Sequence, residues 1–129
     1  MLFLDTSALI ESLTGTKDSG PALLRALNRG ERVWLPSITL YEWLRGTRTP
    51  TDITAREQLF PDAAIVPFDL IQARIAATLY RSISRPRGRE IDLLIAACAI
   101  RHDAELWTLN AADFKDIPGL RLYAKSNFS

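Results

Sequence analysis

Three acidic residues, Asp5, Glu42 and Asp92, occupy positions in the sequence from which they could do chemistry together. Asp5 follows the apolar run at residues 2–4, and Glu42 lies within the segment 37–45, just past a second apolar run. Asp92 precedes the long apolar stretch at residues 93–100. Carboxylates brought within a few ångströms repel one another and take up protons unless a cation joins them. Because Asp and Glu without His or Cys favour hard ions, the three predict a site for Mg²⁺ or Mn²⁺.

Each of these acids also has a purely structural explanation. Asp5 could cap a helix that starts near Thr6 by accepting a backbone N–H. Glu42 could pair with Arg45 three residues later, in a helix capped by Ser37. Asp92 could oppose the positive end of a helix dipole. The metal-site prediction therefore depends on whether the fold gathers the three carboxylates.

Short apolar runs that alternate with helical patterns predict how the fold does this. Strands are expected at residues 2–4, 33–35, 65–66 and 105–109, with a last one at 120–123. One helix is expected between a cap at Asp18 or Ser19 and Gly30, a second after Asp69, and a third over 90–101. This alternation predicts an α/β fold with a short parallel sheet and helices on both faces. Because the carboxyl ends of parallel strands share one edge, residues that follow them converge there.

Composition limits the class of protein. With 129 residues, 47% hydrophobic and 24% charged, the chain suits one globular domain over residues 1–129. A single cysteine and a single histidine exclude a disulfide within the chain and a zinc site. No apolar run is long enough to span a bilayer, and the start of the chain does not resemble a signal peptide. We therefore expect a cytoplasmic protein that does not enter a membrane.

A group of arginines suggests a nucleic-acid partner, although the net charge is only +1. Within nine residues without an acid the chain carries Arg81, Arg85, Arg87 and Arg89. The planar guanidinium can donate two hydrogen bonds to one phosphate group. Arg85, Arg87 and Arg89 are therefore candidate RNA contacts, and a solvated surface run is the alternative.

Four short segments resemble the motifs of the PIN-domain family, and in particular the VapC-type toxins of toxin–antitoxin pairs. In chain order they are Leu-Asp-Thr-Ser-Ala-Leu-Ile at 4–10, Ser-Ile-Thr-Leu-Tyr-Glu at 37–42, Asp-Leu-Leu-Ile-Ala-Ala at 92–97 and Leu-Trp-Thr-Leu-Asn-Ala-Ala-Asp-Phe at 106–114. The resemblance implies a three-layer fold and a Mg²⁺-dependent endoribonuclease, commonly a homodimer, that a cognate antitoxin silences. Asp5, Glu42 and Asp92 match the family's acidic positions. Thr6 or Ser7 would support the site through a hydroxyl, as would Thr108 in the fourth motif.

The fourth motif departs from the fullest form of the family pattern. Many relatives carry an acid where this chain has Asn110, two residues after Thr108. Asn110 could still bind an ion through its carbonyl oxygen, and Asp113 is the other candidate for a fourth ligand. Asp113 could equally cap the turn before Phe114. The number of metal ions, one or two, stays open at this point.

The expected chemistry is hydrolysis of an RNA phosphodiester by water that a divalent ion activates. Asp5 and Asp92 would be the principal ligands, and Glu42 could bind the ion or orient the water. A phosphatase of the haloacid-dehalogenase type would need a second Asp at position 7, where this chain has Ser7. The remaining alternative is a catalytically inactive PIN-like module that binds RNA or protein.

Overall fold

The computed structural model describes residues 1–15 and 18–123. Residues 16–17 and 124–129 of the predicted domain lie outside this range. The described part contains five short strands, which we number in chain order: β1 (Leu2–Leu4), β2 (Val33–Pro36), β3 (Ile65–Val66), β4 (Glu105–Trp107) and β5 (Arg121–Leu122). All neighbouring strands pair in parallel, in the order β3-β2-β1-β4-β5. The predicted parallel sheet is confirmed, although β4 ends two residues earlier than expected.

Six α-helices accompany the sheet in the described residues. They are α1 (Thr6–Thr14), α2 (Ser19–Asn28), α3 (Ser37–Arg45), α4 (Pro50–Leu59), α5 (Leu70–Ser82) and α6 (Glu90–Arg101). Asp69 caps α5 by accepting from the Gln72 N–H at 2.8 Å, as its position predicts. Helix α4 was not predicted from the sequence, even though Thr49 and Asp52 form a capping box around Pro50 at its start.

The sheet separates two apolar cores, because side chains alternate across each strand. Leu2 and Leu4 of β1 point into a core that also contains Trp43 and Phe60. Phe3 points to the opposite face, where the core is built largely from α5 and α6. Helices therefore cover both faces, and the three-layer α/β fold that the resemblance implied is confirmed.

The order of the strands explains where a cleft can form. From β1 the chain moves outward to β2 and β3, and it then returns to the other side of β1 to form β4. Connections that leave neighbouring strands in opposite directions open a crevice beyond their carboxyl ends, where open α/β sheets bind ligands. In this sheet the rule predicts a crevice between the ends of β1 and β4, beside Asp5 and Thr108.

No helix among residues 1–15 and 18–123 combines the length and apolar character needed to cross a bilayer.

Candidate active site

Asp5 lies at the end of β1 and is almost fully buried, with 4% of its surface exposed. One carboxylate oxygen, Oδ1, accepts hydrogen bonds from the Ala8 N–H at 2.9 Å and the Ser7 hydroxyl at 2.7 Å. The other oxygen, Oδ2, accepts from the Thr108 hydroxyl at 2.5 Å. Burial raises the pKa of Asp5 above its ordinary value although these three bonds oppose the shift. The predicted helix cap is thus present, and it uses only one of the two oxygens.

Ser7 and Thr108 connect Asp5 to the segment that follows β4. The Ser7 hydroxyl accepts from the Leu109 N–H at 3.0 Å, and the Thr108 hydroxyl accepts from the Asn110 N–H at 2.9 Å. Both hydroxyls therefore donate to Asp5 and accept from the following loop. Asn110 joins this network through its backbone.

Glu42 lies in the second turn of α3, with 19% of its side chain exposed. The Thr6 hydroxyl donates to Oε1, and Arg45 lies 3.2 Å from Oε2. The pairing with Arg45 that the sequence allowed is therefore present, together with a contact to α1. The predicted cap by Ser37 is wrong: Ser37 is the first residue of the helix, Pro36 precedes it, and no side chain caps this end.

Asp92 lies in the first turn of α6, and its pKa is raised to about 6. Desolvation is the largest cause, followed by the negative charges of Asp113, Asp5 and Glu42, whereas Arg89 opposes the shift. Three carboxylates, one directly after β1, one in α3 and one after β4, therefore act on Asp92 in α6. We call Asp5, Glu42, Asp92 and Asp113 the acidic cluster.

Asp113 is the exposed member of the acidic cluster and lies in a short 3₁₀ helix, Ala111–Asp113. The negative charge of Asp113 raises the pKa of Asp92, whereas the contact reported for Asn110 is that of its backbone N–H with Thr108.

The three candidate RNA-binding arginines occupy different environments. Arg85 and Arg87 are exposed in the turn between α5 and α6, where Arg85 adopts a positive φ of 52°. Arg89 instead forms a two-pronged ion pair with Asp116 at 2.7 and 2.9 Å. Sequence patterns do not reveal such tertiary partners, and Arg89 was therefore predicted as an RNA contact together with Arg85 and Arg87.

In residues 1–15 and 18–123, no three His, Cys, Asp or Glu side chains form a complete metal-binding arrangement. The donors nevertheless fit a hard divalent ion, because they are oxygens and because burial, followed by the neighbouring carboxylates, raises the pKa of Asp92. Binding an ion would therefore require side chains such as Glu42, which Thr6 and Arg45 hold, to rotate.

Comparison with known proteins agrees with this geometry. The family model described as PIN domain matches residues 2–120. Ribonuclease VapC19 of Mycobacterium tuberculosis is 33% identical over 125 residues, which cover 94% of this chain and 98% of that protein.

Two solved structures share the fold. FitAcB from Neisseria gonorrhoeae is 26% identical with a TM-score of 0.70, and the match covers 96% of this chain and 97% of the other. A toxin–antitoxin complex from Klebsiella pneumoniae is 24% identical with a TM-score of 0.70, covering 93% and 95% of the two chains.

Proposed function

This chain belongs to the PIN-domain family, and we propose that it is an endoribonuclease, the toxin of a toxin–antitoxin pair, with the acidic cluster as its active site. The observation that carries the proposal is that the charges of Asp113, Asp5 and Glu42 all act on Asp92, beyond the carboxyl ends of β1 and β4. Similarity to a ribonuclease along nearly the whole chain supports RNA as the substrate.

We propose Mg²⁺ or Mn²⁺ as the cofactor. Asp5 and Asp92 would be the principal ligands, with Glu42 as a further ligand or a group that orients water. Asp113 is our proposed fourth ligand, since its charge acts on Asp92. When bound, the ion would supply the positive charge that acidifies water and stabilises the leaving oxygen of the phosphodiester.

The chain's own residues would prepare this chemistry in two ways. Hydrogen bonds from Ser7, Ala8 and Thr108 hold the Asp5 carboxylate in one orientation before any ligand arrives. Thr6 and Arg45 hold Glu42 beside the crevice. Hydrolysis adds water to phosphorus and breaks one P–O bond, and the fixed Asp5 carboxylate lowers the cost of ordering the reacting groups, whereas Glu42 would rotate towards the ion.

Arg85 and Arg87 are proposed contacts for the RNA backbone, since both are exposed beside the start of α6. Among the aromatic residues, Tyr41 is 53% exposed and could stack on a base, whereas Trp43 and Trp107 are buried in the core. Loss of either arginine should weaken RNA binding and reduce its dependence on salt concentration.

An antitoxin is the proposed protein partner, because similar solved structures include a toxin–antitoxin complex. A homodimer in the cytoplasm, as the family resemblance implies, is the proposed state of the free toxin. Sedimentation of the purified chain, alone and with the product of a neighbouring reading frame, would measure both associations.

The decisive experiment compares Asp92→Asn with Asp103→Asn, an acid that is 94% exposed on its side chain and lies at the opposite edge of the sheet. The wild-type protein and Asp103→Asn should cleave RNA in Mg²⁺ and lose activity in EDTA. Asp92→Asn should lose at least about 100-fold in cleavage rate, since it removes a charged ligand. Equal activity of the two variants would refute the site. A wild-type protein that binds RNA but never cleaves it would favour the inactive binding module.

A further inference from the structure

We propose that Arg89 is a positioning residue that holds the loop carrying Asp113 against Asp92, and that it acts through geometry and not through its charge. The inference rests on the proposed function, since it concerns how the acidic cluster is assembled for a metal ion. We call residues 110–116 the Asp113 loop.

The backbone of Arg89 is fixed to the helix that carries Asp92. Arg89 is the N-cap of α6, and its carbonyl accepts the first helical hydrogen bond from the Leu93 N–H at 3.0 Å. Its own N–H donates to the Pro86 carbonyl at 3.0 Å. Any group that the Arg89 side chain holds is therefore placed relative to Asp92, three residues later.

The Arg89 guanidinium donates hydrogen bonds to the Asp113 loop. Nη1 and Nη2 donate to the two Asp116 carboxylate oxygens at 2.9 and 2.7 Å, and Nη2 also donates to the Asp113 carbonyl at 2.8 Å. Such a two-pronged contact fixes orientation as well as distance. Only 22% of the Arg89 side chain is exposed. Arg89, which was predicted as an RNA contact, is therefore already bound to Asp113 and Asp116.

The other end of the Asp113 loop is attached to Asp5. Thr108, which donates to Asp5, accepts from the Asn110 N–H at 2.9 Å. Asp113 thus lies between an attachment to Asp5 on one side and the Arg89 contacts on the other. Since Arg89 is the N-cap of α6, its hydrogen bond to the Asp113 carbonyl at 2.8 Å holds Asp113 beside the first turn of α6, where Asp92 lies.

Geometry and charge predict opposite effects when Arg89 is lost. A cation beside the acidic cluster weakens the binding of another cation, so its field alone predicts that Arg89→Ala binds Mn²⁺ more tightly. If Arg89 positions Asp113, the same variant binds Mn²⁺ more weakly because the loop loses its attachment. Arg89→Lys keeps the charge but cannot reproduce the two-pronged contact, and therefore isolates the geometric effect.

Calorimetric titration of Mn²⁺ into the whole protein tests the proposal. We expect Arg89→Ala, Arg89→Lys and Asp116→Asn each to bind Mn²⁺ about tenfold more weakly than the wild type, as for other residues that orient metal ligands. The matched control is Arg121→Lys, because Arg121 makes the same kinds of contact to the Asp103 carboxylate at 2.9 Å and carbonyl at 2.8 Å. That variant should bind like the wild type.

A double-mutant cycle identifies the residue through which Arg89 acts. Asp113→Asn should weaken Mn²⁺ binding by itself, and adding Arg89→Lys should cause little further loss. Unchanged affinity in Arg89→Lys and Asp116→Asn, or tighter binding in Arg89→Ala, would overturn the inference while wild-type binding still supports the metal site. A wild-type protein that binds no Mn²⁺ would overturn the metal site and the inference together.

Discussion

At the amino edge of the sheet, Asp103 lies beside Arg121, which is 2.9 Å from its carboxylate. At the carboxyl edge, Asp92 instead experiences the negative charges of Asp113, Asp5 and Glu42, and its pKa rises to about 6. Asp103 at the amino edge therefore has a cationic partner, whereas Asp92 at the carboxyl edge has three like charges acting on it. Close carboxylates that repel one another lower the stability of the folded protein. Such clusters are therefore more typical of a ligand-binding site than of a structural one.

The largest expected difference between the two edges of the sheet is in how a metal ion bound there affects the stability of the protein. At a Mn²⁺ concentration one hundred times the dissociation constant, we expect about 2.7 kcal/mol of added free energy of unfolding, since the ion binds only the folded state. Asp92→Asn should lose most of this gain, and Asp103→Asn should keep it. Urea unfolding in Mn²⁺ and in EDTA measures the difference. An equal gain in both variants would mean that the two edges do not differ as proposed.

The pH dependence of the metal-free protein offers a second, smaller test. Because folding raises the pKa of Asp92, the folded state binds its proton more tightly than the unfolded chain, and stability rises as the pH falls through about 6. After allowance for solvent screening, we expect a gain of about 1 kcal/mol between pH 7 and pH 5. Asp5 contributes in the same direction. The lowered pKa of Asp116 matters only at more acid pH, because its stabilisation is lost below the pKa of the unfolded chain.

Urea unfolding in EDTA at several pH values would measure this dependence. Asp92→Asn should show a flatter profile, while Asp103→Asn should follow the wild type. A wild-type stability that falls between pH 7 and pH 5 would contradict the expected sign.

The last test concerns one hydroxyl, and its expected effect is no larger than that of pH. Thr108→Val removes the hydrogen bond to Asp5 and the acceptor of the Asn110 N–H, and it should raise the pKa of Asp5 further, since the bond from Thr108 lowers it. We expect a loss of about 1 kcal/mol in the free energy of unfolding. Thr78→Val is the control, because the Thr78 hydroxyl donates only to a carbonyl of its own helix, that of Arg74 at 3.1 Å. Equal losses of unfolding free energy in both variants would show that the hydrogen bond from Thr108 to Asp5 does not stabilise the protein more than an ordinary surface hydrogen bond.

Much of the fold follows from patterns that lie close together in the sequence. Asp69 and Gly30 mark helix ends that local hydrogen bonding and backbone conformation dictate, and α6 has the bounds that its apolar run predicts. The position of Asp5 was predictable for the same reason, because few structural roles suit a carboxylate directly after a buried strand. Helix α4 was missed although its start carried a readable capping box.

What sequence patterns could not supply are the partners of side chains across the fold. The pairing of Arg89 with Asp116 spans 27 positions, and that of Thr108 with Asp5 spans 103. Ser37 was predicted as a cap because its residue type favours that role, but the chain enters α3 through Pro36. Our proposal of Asp113, and not Asn110, as a fourth metal ligand likewise depends on how the Asp113 loop packs against α6.

The position of β4 beside β1 has a consequence for how the protein is made. The ribosome synthesises Thr108 and the Asp113 loop more than one hundred residues after Asp5. A nascent chain that lacks β4 therefore has an incomplete acidic cluster. For a protein proposed to cut RNA, this order of synthesis delays assembly of the active site until the segment after β4 has been made.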